Sequence, residues 1–492
     1  MKRIRFYWLT FFIGIIVAVY VLYGARIVDI VAALAAPSPS GAAQSAALFP
    51  SPEETQYIMR LYLEPGSRII YGETRILTSN TSGRGLGELW LTAYPNAFSK
   101  SSATPAPADA YYAGFNPGWM EFDEISINGQ KAQYTSRGVS VQVLPPADIM
   151  PGNQIDLSIK WKALVPRLAY RYGTRDGVYM LGNFYPVLNV LDKDGWHNSY
   201  NSVFGDPFCF HCANYLVELN IPEYYDMVAT GSYGEPIIED NGRQTYVIQA
   251  ENARDFALVL MYDYAKLQTS INKLNVNCYV PNGYKDLAQP ILEKAASMLN
   301  YFNCSLGTYP YKQFSMAFVP MKGFHGMEYS GMIFLSEDYL KRGGLDQSGE
   351  MLLAHEIAHQ WWYGVVGNDQ LKEPWLDEGL ANWSAYKYLE DVEQVKVNIT
   401  ELKEGVSLAR ELRDMYSKQD YYRTAYSGGE AFWFGLEKEL GKEKVNKALR
   451  RYLATYRFKI AGTQELLDVI EKEADSNMDA YFYKWFKVNP GN

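Results

Sequence analysis

Two histidines four residues apart inside an apolar run, Met351-Leu-Leu-Ala-His-Glu-Ile-Ala-His-Gln-Trp-Trp, leave this part of the chain few options. On a helix such residues share one face, so His355 and His359 reach a single ion while Glu356 lies beside it. Only five histidines occur in the 492 residues, so an accidental H-E-x-x-H is a rare event. The bland alternative, two hydrogen-bonded core histidines, is the weaker reading. A catalytic zinc takes three protein ligands and keeps its fourth position for water. Pro374-Trp-Leu-Asp-Glu-Gly-Leu-Ala-Asn-Trp offers the third, with Pro374 suited to the first turn of a second helix. Eighteen residues separate His359 from Glu378, enough for the first helix to end near Gly364, a loop and an antiparallel return. On spacing alone Asp377 serves nearly as well as Glu378.

Around this helix pair the texture of the sequence changes once. From Tyr57 onward short alternating runs recur between turn signals, among them Tyr57-Ile-Met-Arg-Leu-Tyr-Leu, Gly87-Glu-Leu-Trp-Leu, Ile155-Asp-Leu-Ser-Ile-Lys-Trp and Tyr215-Leu-Val-Glu-Leu-Asn-Ile. Period-two alternation of this kind predicts a β-rich domain over residues 55–263. Residues 264–492 read as mainly helical, with helices expected at 287–302, 349–363, 375–391, 430–456 and 463–486. Two strands, Phe314-Ser-Met-Ala-Phe-Val and Gly331-Met-Ile-Phe-Leu, interrupt them.

The N-terminus bears on compartment. Lys2, Arg3 and Arg5 precede an uncharged apolar run from Phe6 to Tyr23, at the short end of what spans a bilayer, and the basic residues favour a cytoplasmic N-terminus. Residues 1–36 read as a transmembrane anchor and the Pro/Ser/Ala/Gly-rich residues 37–54 as a linker. The rest of the chain would face the extracytoplasmic side, as it also would if Ala33-Leu34-Ala35 were a signal-peptide cleavage site. A net charge of -9 and the lack of a basic stripe argue against a nucleic-acid partner. Four cysteines are present; Cys209-Phe-His-Cys212 has metal-like spacing, but Cys278 and Cys304 stand alone, so a local disulfide or plain thiols is the preferred reading there.

These residues resemble a known family. H-E-x-x-H followed after eighteen residues by Glu, in the context W-L-x-E-G-x-A, is similar to the gluzincin aminopeptidases, the family of aminopeptidase N. His325-Gly326-Met327-Glu328-Tyr329 sits where that family carries its G-A-M-E-N exopeptidase motif. Tyr426-Ser-Gly-Gly-Glu-Ala resembles its Y-x-K-G-A segment. Tyr57 to Phe98, Gly205-Asp-Pro and Ala253-Arg-Asp-Phe-Ala-Leu-Val extend the likeness into the β region.

The resemblance implies a saddle-like N-terminal β-sheet domain followed by a mainly helical thermolysin-like catalytic domain. It selects Glu378 over Asp377 as the third ligand of one zinc ion, makes Glu356 the general base and Tyr426 the oxyanion donor, and assigns Glu328 to the free amine of a peptide substrate held along Gly326 and Met327. Tyr416, Tyr421 and Tyr422 lie close enough in sequence to rival Tyr426. The implied activity is that of a zinc aminopeptidase acting on peptides with a free N-terminus. A zinc endopeptidase of the same fold and a non-catalytic peptide-binding protein are the competing readings.

Departures from the family pattern bear on substrate choice. Tyr329 replaces the Asn of G-A-M-E-N, His325 a glycine, and Gly428 the Lys of the tyrosine segment. No counterpart of the family's second amine contact is evident near Asn183-Phe-Tyr-Pro186. The chain also continues for too few residues after Glu378 to hold the long C-terminal domain of larger members, so an open cleft is expected.

Overall fold

The structure, a computed structural model, describes residues 54–397 and 406–487. The expected anchor and nearly all of the expected linker lie outside the described residues. Among the described residues no helix is long and apolar enough to cross a membrane.

The alternating segments of the first half form sheets, because alternation puts their apolar side chains on one face. Gln56–Glu64 lies within a nine-stranded sheet, parallel to Ala213–Pro222 and antiparallel to Ile69–Ser79. Beyond these the sheet continues through Gln154–Leu164 and Trp119–Ile127 on one side and Arg243–Ala253 on the other. Two four-stranded sheets and a two-stranded one complete this half; one of the four-stranded sheets runs Asp226–Ala229, Leu258–Met261, Val178–Leu181, Tyr172–Arg175.

The second half holds more strand than its sequence suggests. Its sheet has five strands in the order Tyr264–Ile271, Leu274–Pro281, Gln313–Val319, Met332–Ser336, Gly326–Tyr329. The first two form a hairpin whose two-residue turn is Asn272-Lys273, both at positive φ (48° and 75°). Such a turn matches strand twist, but without a glycine it leaves no clear signal in the sequence. Gly326–Tyr329 pairs only with Met332–Ser336, antiparallel, and so is an edge strand.

Helices occupy Lys285–Ser305, Gln347–Ala358, Trp375–Asp391, Gly429–Leu440, Lys442–Thr455, Thr463–Ala474 and Asp479–Phe486. The two long C-terminal helices expected from sequence are each split. Gly441 at φ 83° divides the first, and Asp475 at φ 54° ends the first part of the second. The histidine helix is shorter than expected, closing at Ala358 with His359 as its C-cap rather than running to Tyr363. Tertiary bonds override local propensity there. Tyr363 sits at φ 120°, its carbonyl accepts from Arg254 Nε, and its hydroxyl donates to Asp255 Oδ2 at 2.7 Å.

Three apolar clusters organise the packing. One is drawn from Tyr57 to Leu260 and another from Ala265 to Phe486, the latter holding Trp361, Trp362, Trp375, Trp383 and Trp433. A third joins the halves, with Met180, Val228 and Val259 of the β half against Ala317, Met327, Tyr329 and Phe334 of the five-stranded sheet. At about 1.5–3 kcal/mol per large buried side chain, this junction stabilises the edge strand that borders the site.

Candidate active site

Asp346 starts the histidine helix by accepting the Gly349 amide at 2.9 Å, a side-chain N-cap. From there His355 and His359 fall on one face. His359 Nδ1 faces the Trp362 carbonyl at 2.9 Å, and since a carbonyl only accepts, Nδ1 carries the proton and Nε2 keeps its lone pair. His359 Nε2 lies 3.0 Å from His355 Nε2. Glu378 Oε2 reaches these nitrogens at 3.5 and 3.2 Å respectively.

The second helix delivers Glu378 from its first turn, where the helix dipole favours an ionised carboxylate. Trp362 Nε1 donates to Ser384 Oγ at 2.8 Å and holds the end of the histidine segment against this helix. Asp377 points elsewhere: Asn368 Nδ2 and Gln370 Nε2 donate to its two oxygens at 3.1 and 2.7 Å. The neighbouring residue therefore acts as an anchor for the connection between the two helices.

Two imidazole nitrogens and a carboxylate oxygen thus converge with mutual separations of 3.0–3.5 Å. Ligands about 2.0–2.1 Å from a tetrahedral zinc are spaced about 3.3 Å apart, so the donor set fits that ion. Buried Glu356 Oε2 and Glu378 Oε2 also have no hydrogen-bond partner among the described residues. Orphans of this kind are rare in a native interior unless a bound group satisfies them.

Electrostatics separates the carboxylates into two kinds. Burial opposes the charge of Glu378, but its contacts with His355 and His359 outweigh that and hold its carboxyl well below the usual range. Burial pushes Glu356 up to about 8. Glu328 is also raised well above the ordinary carboxyl value, by burial against the pull of His359, with Asp206 and Glu356 adding to the rise.

Glu328 is 8% exposed and, with Gly326 and Met327, lines the same cavity of about 280 Å³ as His355, Glu356 and Glu378. Gly326 passes directly against the base, since a Cβ there would stand 2.1 Å from Glu356 Oε1. Behind this strand Gln360 makes two bonds. Its Nε2 donates to the Tyr329 carbonyl at 2.9 Å, and its Oε1 accepts from the Gly331 amide at 2.8 Å. Tyr329 itself packs in the cluster joining the two halves and does not line the cavity.

The four candidate tyrosines separate in space. Tyr416 is 93% exposed and off the cavity, whereas Tyr421, Tyr422 and Tyr426 line it. Tyr426 and Tyr421 both donate to Glu378 Oε1, at 2.5 and 3.0 Å, and only Tyr426 stacks on His355, at 5.7 Å and 20°. Tyr426 lies in a π-helical turn, Tyr422–Gly428, that leads into Gly429–Leu440, and such turns are frequent at functional sites.

Of the acidic residues that line the cavity, one has no role assigned from the sequence. Asp206, buried and paired with Arg171, lines the cavity and acts on both Glu328 and Glu356. Its local signal is the segment Gly205-Asp-Pro, which carries likeness to the family but no role.

Two imidazoles and one glutamate converging beside a buried carboxylate in a cleft form the donor set of a catalytic zinc site. Residues 291–485 match the Peptidase family M1 domain. Aminopeptidase M1-B of Oryza sativa subsp. japonica is 24% identical over 251 residues, 47% of this chain and 29% of that protein. Aminopeptidase M1 of Arabidopsis thaliana is 24% identical over 417 residues, covering 74% and 45%. The chain spans less than half the length of these curated relatives. In fold it is similar to the crystal structure of an M1 zinc metallopeptidase from Deinococcus radiodurans, with a TM-score of 0.63 at 15% identity over 88% of this chain and 93% of that one. These matches make residues 291–485 similar to a Peptidase family M1 domain, and the structural likeness extends the shared fold over most of the chain.

Proposed function

We propose that this chain is a zinc aminopeptidase that removes N-terminal residues from peptides. The observation that carries the reading is Glu328, a buried carboxylate on an edge strand in the same cavity as Glu356 and the two-histidine, one-glutamate cluster. His355, His359 and Glu378 would hold one zinc ion. When bound, zinc supplies Lewis acidity that polarises the scissile carbonyl and eases deprotonation of a water.

The chain's own residues do the rest. Glu356 accepts the proton of the attacking water and returns it to the leaving amine, a task suited to a carboxylate with a raised proton affinity. Tyr426 donates to the oxygen on which negative charge develops. Glu328 pairs with the substrate ammonium, which an internal amide lacks, and the free side of Gly326–Tyr329 offers main-chain pairing to the peptide.

The test compares substrates. Glu328→Ala is expected to lower kcat/KM for free-amine peptides by about 100-fold, the order of a lost charge-assisted contact, and to leave slow cleavage of N-acetylated peptides unchanged. Equal losses on both would remove the amine-anchoring role and favour an endopeptidase. Glu356→Gln should keep zinc and lose hydrolysis. A wild-type chain that binds free-amine peptides without cutting them would establish the non-catalytic reading.

We further propose that Phe6–Tyr23 anchors the protein with its catalytic part on the extracytoplasmic side, a reading supported by that run and the basic residues before it. Membrane association that resists alkaline extraction and disappears on deletion of residues 1–36 is the expected result. Release of the full chain by alkali would overturn it.

A further inference from the structure

The motif Cys209-Phe-His-Cys212 plays no part in the site above, and the fold completes it from an unexpected direction. Cys212 Sγ turns away to the Gly364 carbonyl at 3.7 Å, and His211 is exposed. Cys209 is 2% exposed, and among the described residues its thiol makes no hydrogen bond. It meets two residues distant in sequence. One ligand atom each from Cys209, His197 and Asp369 lie within 4.8 Å of one another.

We propose that Cys209, His197 and Asp369 form a second metal site, for zinc or another divalent ion that accepts thiolate and imidazole together. His197 Nδ1 stands 2.6 Å from Asp369 Oδ2, hydrogen-bond distance, so an ion would replace the proton they share and part the two atoms to about 3.3 Å, and Nε2 stands 2.7 Å from Asp192 Oδ2. Ligation through Nδ1 would leave Nε2–H on Asp192, the carboxylate–histidine–metal arrangement that fixes a ligating imidazole and raises its basicity. Binding would release the thiol proton and the proton shared by His197 and Asp369. Asp369 Oδ1 is already committed to the Leu371 and Lys372 amides, at 3.0 and 3.2 Å, which leaves Oδ2 for the ion.

The position gives the site a role. His197 and Cys209 belong to the β half, whereas Asp369 belongs to the connection between His359 and Glu378. Its neighbours Asn368 and Gln370 hold Asp377, beside the ligand Glu378. An ion here staples that connection to the β half.

Cobalt separates this site from the first, which contains no sulfur. The full chain is stripped with chelator, reloaded with Co2+ and desalted. The expected result is a thiolate-to-cobalt charge-transfer band in the near ultraviolet, with one more metal equivalent than the first site holds. Cys209→Ser should lose the band and that equivalent and keep the other, and Cys212→Ser should change neither. His197→Gln, which keeps the thiol, should also lose the second equivalent and serves if Cys209→Ser does not fold. Saturation at a single equivalent without the band, or a band that survives Cys209→Ser, would overturn the proposal.

Discussion

Gly379 and Gly429 meet backbone to backbone. A Cβ on Gly379 would lie 2.6 Å from the Gly429 Cα, and one on Gly429 would lie 2.5 Å from the Gly379 Cα. Gly379 follows the ligand Glu378, and Gly429 follows the π-helical turn that carries Tyr426, so this contact sets how closely the tyrosine approaches the carboxylate. The obstruction is main chain, which cannot swing aside as a side chain can. Gly429→Ala should therefore destabilise the protein by about 1–3 kcal/mol through overpacking. It should also lower kcat by about tenfold or more as Tyr426 moves off, a displacement effect familiar in active sites. Denaturant melts and steady-state kinetics check both. A variant with wild-type stability and kcat would show that the helices have room to separate.

The hydroxyls of Tyr426 and Tyr421 share one acceptor, Glu378 Oε1, but they are not equivalent. Both line the cavity, but Tyr426 lies over the His355 ring whereas Tyr421 is buried and does not stack on it. Tyr426→Phe is expected to cost about 10²–10³ in kcat, the usual loss for one oxyanion donor, with zinc content unchanged. Tyr421→Phe removes a support of the ligand and should act mainly on zinc affinity. Tyr416→Phe should do nothing. Reversal of the first two would move the donor role to Tyr421.

Much of this site was legible because its chemistry sits in short, local patterns. The helix face bearing His355, Glu356 and His359 follows from spacing, and Glu328 and Tyr426 come from motif likeness. What was hidden depends on distant contacts. Asp377 and Glu378 are adjacent on one helix, and the fold separates them by giving Asp377 to Asn368 and Gln370 and turning Glu378 to the histidines. Asp206 and Asp369 reach their positions through loops that carry no periodicity. The histidine helix ends early because Arg254 and Asp255 seize Tyr363 from the β half, and no residue inside the helix announces that.

Gln360 gives a way to perturb the edge strand without touching ligand or base. Its amide joins the residue after His359 to the Tyr329 carbonyl and the Gly331 amide, both buried. Gln360→Ala leaves these two groups unpaired, at about 1–3 kcal/mol each, so stability should fall by about 2–6 kcal/mol. The strand that carries Glu328 loses its tie to the histidine segment. KM for free-amine peptides should rise more than kcat falls, and zinc content should hold. Gln360→Glu, which can still accept from Gly331, should recover part of the loss. A fall in zinc content with KM unchanged would mean that Gln360 supports the metal ligands instead.

Glu430 tests the electrostatics of the helix after Tyr426. Burial raises its carboxyl from 4.5 to about 7, although Asn382 Nδ2 opposes the shift by donating to it at 3.2 Å. Because the folded value lies above the unfolded one, the folded chain retains a proton that the unfolded chain releases between these pH values. The contribution is fully present below pH 4.5, falls as pH rises towards 7, and above that the ionised group bears its full desolvation cost. Glu430→Gln keeps the acceptor for Asn382 and removes the charge. It should leave stability unchanged near pH 4 and raise it by about 1–3 kcal/mol near pH 8, the partial exposure of the group holding the gain below the full value of its shift. Urea melts of the metal-free chain at the two pH values measure this difference. A variant less stable than wild type at pH 8, or equally stabilised at both, would show that Glu430 is ionised and paired in the folded protein.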